Sequence, residues 1–94
     1  MVILNVTYKC KPGKREEFLG AVKAEGIDAA SRNESGNIRY DYFAAADHPD
    51  CLFLLEHWQD EDAFKAHTEE PHFKRLGEIK AEFVQETEIG KYTD

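Results

Sequence analysis

The residues best suited to chemistry lie between Glu56 and Phe73, in the stretch EHWQDEDAFKAHTEEPHF. This stretch places three of the four histidines close to the only tryptophan. An imidazole can accept a proton near neutral pH, and an indole face suits a flat, electron-rich ligand. We therefore expect any reaction to take place here, on a ligand that binds against aromatic and imidazole rings.

Strand and helix periodicity divides these side chains between two surfaces. Glu56 and Trp58 are two residues apart on a predicted strand and share one face, whereas His57 takes the other. His67 falls on the apolar side of a short predicted helix. If the face with Trp58 lies under the helices, then Glu56, Trp58, His67 and His72 border a single cavity.

Two elements open the chain. Val2–Cys10 alternates with a period of two and is rich in β-branched and aromatic residues, which predicts a first strand that ends before Pro12-Gly13. From Lys14 to about Asn33, apolar residues recur at helical spacing between charged ones. This pattern predicts one helix of about five turns.

A hairpin follows the first helix. Ile38–Phe43 alternates polar and apolar residues and predicts the second strand, and residues 44–50 predict a loop. Five consecutive apolar residues at Cys51–Leu55, continued by Glu56–Trp58, predict a third strand that is buried on both faces.

The last third of the chain predicts two helical pieces and a strand. Asp60 is a suitable N-cap for a short helix to about Thr68, and Pro71 fits the first turn of a second piece. Val84–Thr93 alternates weakly, which predicts a fourth strand. The apolar positions of the second piece recur at spacings of three and four: Phe73, Leu76, Ile79 and Phe83.

The order βαββαβ predicts an α+β, ferredoxin-like fold, with a four-stranded antiparallel sheet and both helices on one face, as a single domain over residues 1–94. The bare face should meet the same face of a second copy, which predicts a homodimer. Strands one and three are expected to run parallel, which would place Cys10 and Cys51 at opposite ends as free thiols.

Composition narrows the possible partners. A formal charge of −7 repels phosphate backbones and anionic headgroups, so nucleic acid and membrane surfaces are poor partners. No apolar run approaches the roughly 20 residues of a membrane span, and the first residues lack signal-peptide features. We expect a cytoplasmic protein that binds a small molecule.

The motifs of metal and cofactor sites are not recognisable in the sequence. A metal set of Glu56, His57, His67 and His72 matches no ligand spacing of known sites, and the strand places His57 opposite Glu56. The sequence has no glycine-rich phosphate loop and no nucleophile elbow. We expect no metal and no cofactor, so the substrate of an enzyme built this way must supply its own reactivity.

Four segments together resemble the antibiotic biosynthesis monooxygenase domain family of small dimeric α+β barrels. They are PGK with EEF opening helix one, SGNIRYD entering strand two, EHWQDEDAFKAH across strand three and the short helix after it, and EEPHF leading the last helix. In this order and spacing they cover nearly the whole chain. The resemblance implies the dimeric barrel form of the ferredoxin-like fold.

The family includes members similar to quinol monooxygenases, which oxidise quinol or polyphenolic substrates with dioxygen and without a cofactor. The resemblance makes His67 the candidate base. It implies that Trp58 and Phe73 form walls of the pocket. It also implies that Glu56, Asn5 and Tyr40 make polar contacts with the substrate. This activity is our leading expectation.

Two other activities stay open. An isomerase of phosphorylated autoinducer-2 is similar in GNIRYD, DEDA and PHFK, and would assign proton transfer to His67, His72 or Glu56 and phosphate contacts to Arg39 or Lys74. The chain's acidity weighs against this reading. A dimer that binds a small hydrophobic molecule without catalysis is the other alternative.

A further branch binds and degrades haem. Its strand-one asparagine and strand-three tryptophan would correspond to Asn5 and Trp58. That branch also uses an axial histidine a few residues after a phenylalanine, whereas Phe73 is followed here by Lys74, Arg75, Leu76 and Gly77. The sequence therefore disfavours haem.

Overall fold

A four-stranded antiparallel sheet forms the centre of the protein, and the computed structural model describes all residues from 1 to 94. Strand β1 is Val2–Cys10, β2 is Asn37–Ala44, β3 is Cys51–Trp58 and β4 is Val84–Thr93. The spatial order is β2-β3-β1-β4. The predicted α+β, ferredoxin-like arrangement is confirmed.

The predicted direction of the third strand relative to the first is wrong. β1 pairs antiparallel with β3, and Lys9 lies opposite Cys51. The crossover from β1 makes β2 parallel to it, and the hairpin that follows reverses β3. Cys10 and Cys51 therefore lie at the same end of the sheet, but on opposite faces, since Lys9 shares the face of Cys51. Both are free cysteines.

The two faces of the sheet differ in burial. Val2, Leu4, Val6 and Tyr8 of β1 are buried on the face that we call the inner face, together with Leu52, Leu54, Glu56 and Trp58 of β3. Their neighbours in sequence point to the other face, the outer face, and are partly or fully exposed. Alternation with a period of two thus separates a helix-covered side from a bare side.

The first helical segment is two helices, not the single helix that the spacing predicts. Helix α1 is Arg15–Ala24 and helix α2 is Ile27–Arg32. Gly26 separates them with a φ of 67°, a left-handed conformation that glycine adopts without the steric cost borne by other residues. The chain turns there, and α2 packs against β2.

The second helical segment also contains two helices, as predicted. Helix α3 is Glu61–Thr68, and the Asp60 side chain caps it by accepting a hydrogen bond from the backbone N–H of Ala63. Helix α4 is Pro71–Phe83, with the proline in its first turn. All four helices are too short or too polar to cross a membrane.

The helices cover the inner face and leave the outer face bare. Phe18 and Val22 of α1, Ile27 of α2, and Leu76 and Ile79 of α4 join the inner-face residues in one apolar core. On the outer side, Phe43 and Tyr92 are about half exposed, and Ile38 at the adjoining edge of β2 is 58% exposed.

Candidate active site

Glu56 is a carboxyl group in the middle of the buried face. It lies on β3, between Leu4 of β1 and Tyr40 of β2, and is only 6% exposed. The indole Nε1–H of Trp58 donates a hydrogen bond of 3.1 Å to its Oε1. Burial raises the pKa of Glu56 to about 7, against the lowering effect of the Trp58 hydrogen bond, and the charge of Glu34 adds to the rise. The group therefore changes charge near neutral pH.

His67 of α3 is held next to Glu56 by aromatic rings. Its imidazole is buried, with its centroid 4.4 Å from the indole of Trp58 and 5.2 Å from the ring of Phe73. Its Nε2 lies 3.8 Å from Oε1 of Glu56. Burial lowers the pKa of His67, although Glu34 opposes this effect, so the neutral imidazole is favoured.

Glu34 joins the two histidines that the sequence singled out. Its Oε2 accepts hydrogen bonds from Nδ1 of His67 at 2.6 Å and from Nε2 of His72 at 2.8 Å. With its Nδ1 proton donated to Glu34, His67 directs an unprotonated Nε2 towards Glu56. We call Glu34, Glu56, His67 and His72 the polar network.

The polar network also contains the side chains that could hold a metal ion. Ligand atoms of Glu34, His67 and His72 lie within 4.8 Å of one another. This grouping differs from the set considered from the sequence, because it includes Glu34 and contains neither Glu56 nor His57, which lies on the outer face. In the structure, hydrogen bonds to Glu34 already engage both imidazoles.

A cavity of about 160 Å³ lies beside Glu56, between the inner face of the sheet and helices α3 and α4. The polar or partly polar residues that line it are Glu56, Tyr8, Lys80 and Thr87. We call it the inner cavity. Its apolar walls are Leu4, Val6, Phe64, Phe73, Leu76 and Ile89.

Only part of the predicted site reaches this cavity. Glu56 and Phe73 line it. Trp58 and His67 lie behind Glu56, fully or almost fully buried, and Tyr40 is buried with its ring edge towards His67 at 5.9 Å. The polar network therefore contacts the cavity through Glu56. Trp58, predicted as a wall, and His67, predicted as the base, pack behind that carboxyl group instead.

Three of the residues considered lie away from the cavity. Asn5 alternates with buried Leu4 and Val6 and so lies on the outer face, opposite Leu55. Arg39 is on the same face, opposite His57, and its Nε donates to Asp41 at 2.8 Å. Lys74, considered as a phosphate contact, is exposed on α4.

Sequence reasoning missed Glu34 and Lys80. Glu34 lies in the turn after α2, where no periodicity indicates its direction, and its histidine partners are more than 30 residues away. For Lys80 a signal existed. It follows Leu76 by four residues and Phe73 by seven, so the predicted apolar stripe of α4 carries a lysine in the direction of the cavity.

A second, polar cleft of about 370 Å³ opens on the other side of Glu34, with Gln59, Asp60 and Glu70 among its lining residues. Gly36 also lines it, and a Cβ at this position would collide with the Cβ of Ala63 in α3. The turn that carries Glu34 is thus pressed directly against the helix that carries His67.

Comparison with known proteins is consistent with this architecture. Residues 1–78 match the family model of antibiotic biosynthesis monooxygenase. The Bacillus subtilis (strain 168) protein YcnE, named provisionally as a monooxygenase, is 42% identical over 74 residues, covering 79% of this chain and 76% of its own.

Solved structures extend the likeness to the whole chain. A protein of Nitrosomonas europaea, provisionally called an antibiotic biosynthesis monooxygenase, superposes with a TM-score of 0.89 at 25% identity, covering 100% of this chain and 98% of its own. A conserved protein of Methanosarcina mazei Go1 gives 0.89 at 29% identity, with coverages of 99% and 91%. With its fold, its matched residues and its relatives in agreement, the chain belongs to the antibiotic biosynthesis monooxygenase family.

Proposed function

We propose that this protein is a cofactor-independent monooxygenase that oxidises a small quinol-like or polyphenolic compound with dioxygen. The supporting observation is a buried carboxyl group, Glu56, with a pKa of about 7 at the wall of an otherwise largely apolar cavity. A group of this kind can accept a phenolic proton near neutral pH.

The reaction begins with ionisation of the substrate. The Glu56 carboxylate takes the hydroxyl proton, and the electron-rich phenolate that results reduces dioxygen. For a hydroquinone the balance is one quinol plus one dioxygen to one hydroxyquinone plus one water. One oxygen atom forms a bond to a ring carbon, and the other leaves as water with two protons from the substrate.

The polar network gives the proton a route away from the substrate. Protonated Glu56 faces the unprotonated Nε2 of His67, whose Nδ1–H is bonded to Glu34. Glu34 in turn lines the polar cleft. The 3.8 Å separation of Glu56 and His67 is longer than a hydrogen bond, so transfer requires the two groups to close by about 1 Å.

Oxygen uptake with a panel of hydroquinones and catechols tests the proposal. We expect uptake above the non-enzymatic rate, lowered about 100-fold or more in Glu56→Gln and His67→Ala. His57→Gln is the matched control, because it changes a histidine of the same strand on the outer face, and should leave the rate near that of the wild type.

Three results would contradict the proposal. They are no uptake above background, uptake unchanged in Glu56→Gln, and equal losses in Glu56→Gln and His57→Gln. Rearrangement of a phosphorylated dione under anaerobic conditions would point to the isomerase instead. Binding without any product would point to a non-catalytic binder.

We also propose that the protein is a homodimer that pairs through its outer faces. The support is the set of apolar side chains left uncovered there, with Phe43 at 46% and Tyr92 at 57% exposure. Sedimentation at micromolar concentration should give twice the mass of the 10.8 kDa chain. A monomer under those conditions would refute this assembly.

A further inference from the structure

We infer that Lys80 is an anion-binding residue of the inner cavity, which therefore selects a single-ring phenol that carries a carboxylate or comparable small anionic group. This inference rests on the proposed function, in that it takes the inner cavity as the substrate site. It adds a specificity residue, a size limit and a charge requirement for the ligand.

The first observation is the unpaired charge of Lys80. Some lysines of the chain are ion-paired, such as Lys23 with Asp28 and Lys91 with Glu61, and those that lack a carboxylate partner, Lys80 apart, are exposed to solvent. Lys80 has no carboxylate within 4.0 Å, and its Nζ lies 5.3 Å from the ring centroid of Tyr8. It is partly buried, and this burial lowers its pKa, because the ammonium has lost water without gaining an anion. An anionic ligand would give the ammonium hydrogen-bond acceptors and a negative charge in place of the water that burial has removed.

The second observation is the placement of the two charged groups. Glu56 is level with Leu4 of β1, whereas Lys80 lies over Tyr8, four residues further along the same strand. Four residues of strand span about 13 Å. The carboxyl and the ammonium therefore belong to positions four residues apart along β1, with the apolar side chain of Val6 between them in the cavity lining.

The third observation is the size of the space. Apolar cavities of about 150 Å³ admit one benzene ring. The inner cavity, at about 160 Å³, is of this size and therefore matches a single ring. A ring with a hydroxyl at one end and an anionic group at the other fits both its length and its charges: the hydroxyl meets Glu56 and the anion meets Lys80.

Equilibrium binding tests the inference without turnover. The probes are 4-hydroxybenzoate and its uncharged analogue 4-hydroxybenzamide, titrated by calorimetry into the intact protein. We expect the benzoate to bind about tenfold more tightly than the benzamide, and Lys80→Met to abolish this preference while it keeps the alkyl stem. Lys80→Arg should keep part of it, which separates lost charge from a damaged fold.

Lys91→Met is the matched control, since Lys91 also lies over an aromatic ring, at 5.1 Å from Phe64, but is paired with Glu61 and does not line the cavity. It should keep the wild-type preference.

Three results would each overturn the inference: equal affinity of the wild type for the two probes, a preference that survives Lys80→Met, or no saturable binding in the millimolar range. If 4-hydroxyphenyl phosphate binds and the benzoate does not, the carboxylate class is wrong. Anion selection without oxygen uptake would refute the monooxygenase proposal and leave the role of Lys80 intact.

Discussion

The two faces of the sheet place polar and apolar groups in opposite ways. The inner face buries carboxyl groups and imidazoles, with Glu56 and His67 both under 10% exposed. The outer face leaves large apolar side chains such as Phe43 in solvent. Burial of polar groups opposes folding unless they are hydrogen-bonded, and exposure of apolar groups forfeits burial energy. Each face therefore departs from what best stabilises a lone chain, in the direction required by the proposed chemistry on the inner face and the proposed dimer on the outer face.

The largest expected effect is a difference in stability between substitutions of two neighbouring leucines of β3. Leu54 is fully buried on the inner face, and Leu55 is partly exposed on the outer face. We expect Leu54→Ala to lower the free energy of unfolding by about 2–5 kcal/mol at any protein concentration. Leu55→Ala should lower the free energy of unfolding by less in dilute protein. It should also reduce the increase in stability that the proposed dimer gains at higher protein concentration. Urea unfolding at several concentrations measures both, and equal costs at low concentration would contradict the contrast between the faces.

Glu56, on the inner face, should make the free energy of unfolding depend on pH. Its folded pKa is about 7, above the ordinary value of 4.5. Between those values the folded protein binds more protons than the unfolded chain, so stability falls as pH rises through the window, by about 3 kcal/mol in all. Glu56→Gln removes this contribution. The variant should match the wild type near pH 4 and exceed it in stability at pH 8, although it has lost activity.

Urea unfolding across this pH range gives the measurement, with exposed Glu88 of the outer face as the comparison. Glu88→Gln should keep the wild-type slope of stability against pH. If Glu56→Gln keeps that slope as well, then the inner carboxyl group does not titrate near neutrality and the proposed base is wrong.

The smallest effect should come from Glu34. Its negative charge contributes to the raised pKa of Glu56, so Glu34→Gln should move the midpoint of the Glu56 transition to lower pH, by about one pH unit or less. The pH profiles of stability and of oxygen uptake should move together. Glu70→Gln, in the same cleft but with no side-chain hydrogen bond to either histidine, is the control. A midpoint that moves upward would contradict the assigned direction.

Much of the fold could be predicted because local rules decided it. Period-two alternation marked β1, a run of consecutive apolar residues marked β3, Asp60 and Pro71 marked the starts of α3 and α4, and these elements are found where the patterns indicate. The break at Gly26 was missed, since spacing alone does not distinguish a glycine inside a helix from one with a left-handed backbone. The predicted direction of β3 was wrong because the helical crossover leaves β2 parallel to β1, so the hairpin that follows makes β3 antiparallel to both.

The candidate site could be predicted only in part, for a similar reason. Periodicity grouped Glu56, Trp58 and His67 on one side because each lies in a regular element. It could not find Glu34, whose position depends on a turn, or separate the carboxyl group that lines the cavity from the rings behind it. These relations arise between distant segments, and single-residue patterns do not record them.

Gly36 determines how closely the turn that carries Glu34 approaches helix α3. Its missing side chain lets the turn before β2 rest on Ala63, and the backbone carbonyl of Gly36 accepts a hydrogen bond of 2.8 Å from the N–H of Gln59. A methyl group here would wedge the turn away from α3 and draw Glu34 from His67. The approach of Glu34 to His67 thus relies on a residue without any functional group, and a comparison of relatives should examine this position as closely as the histidines.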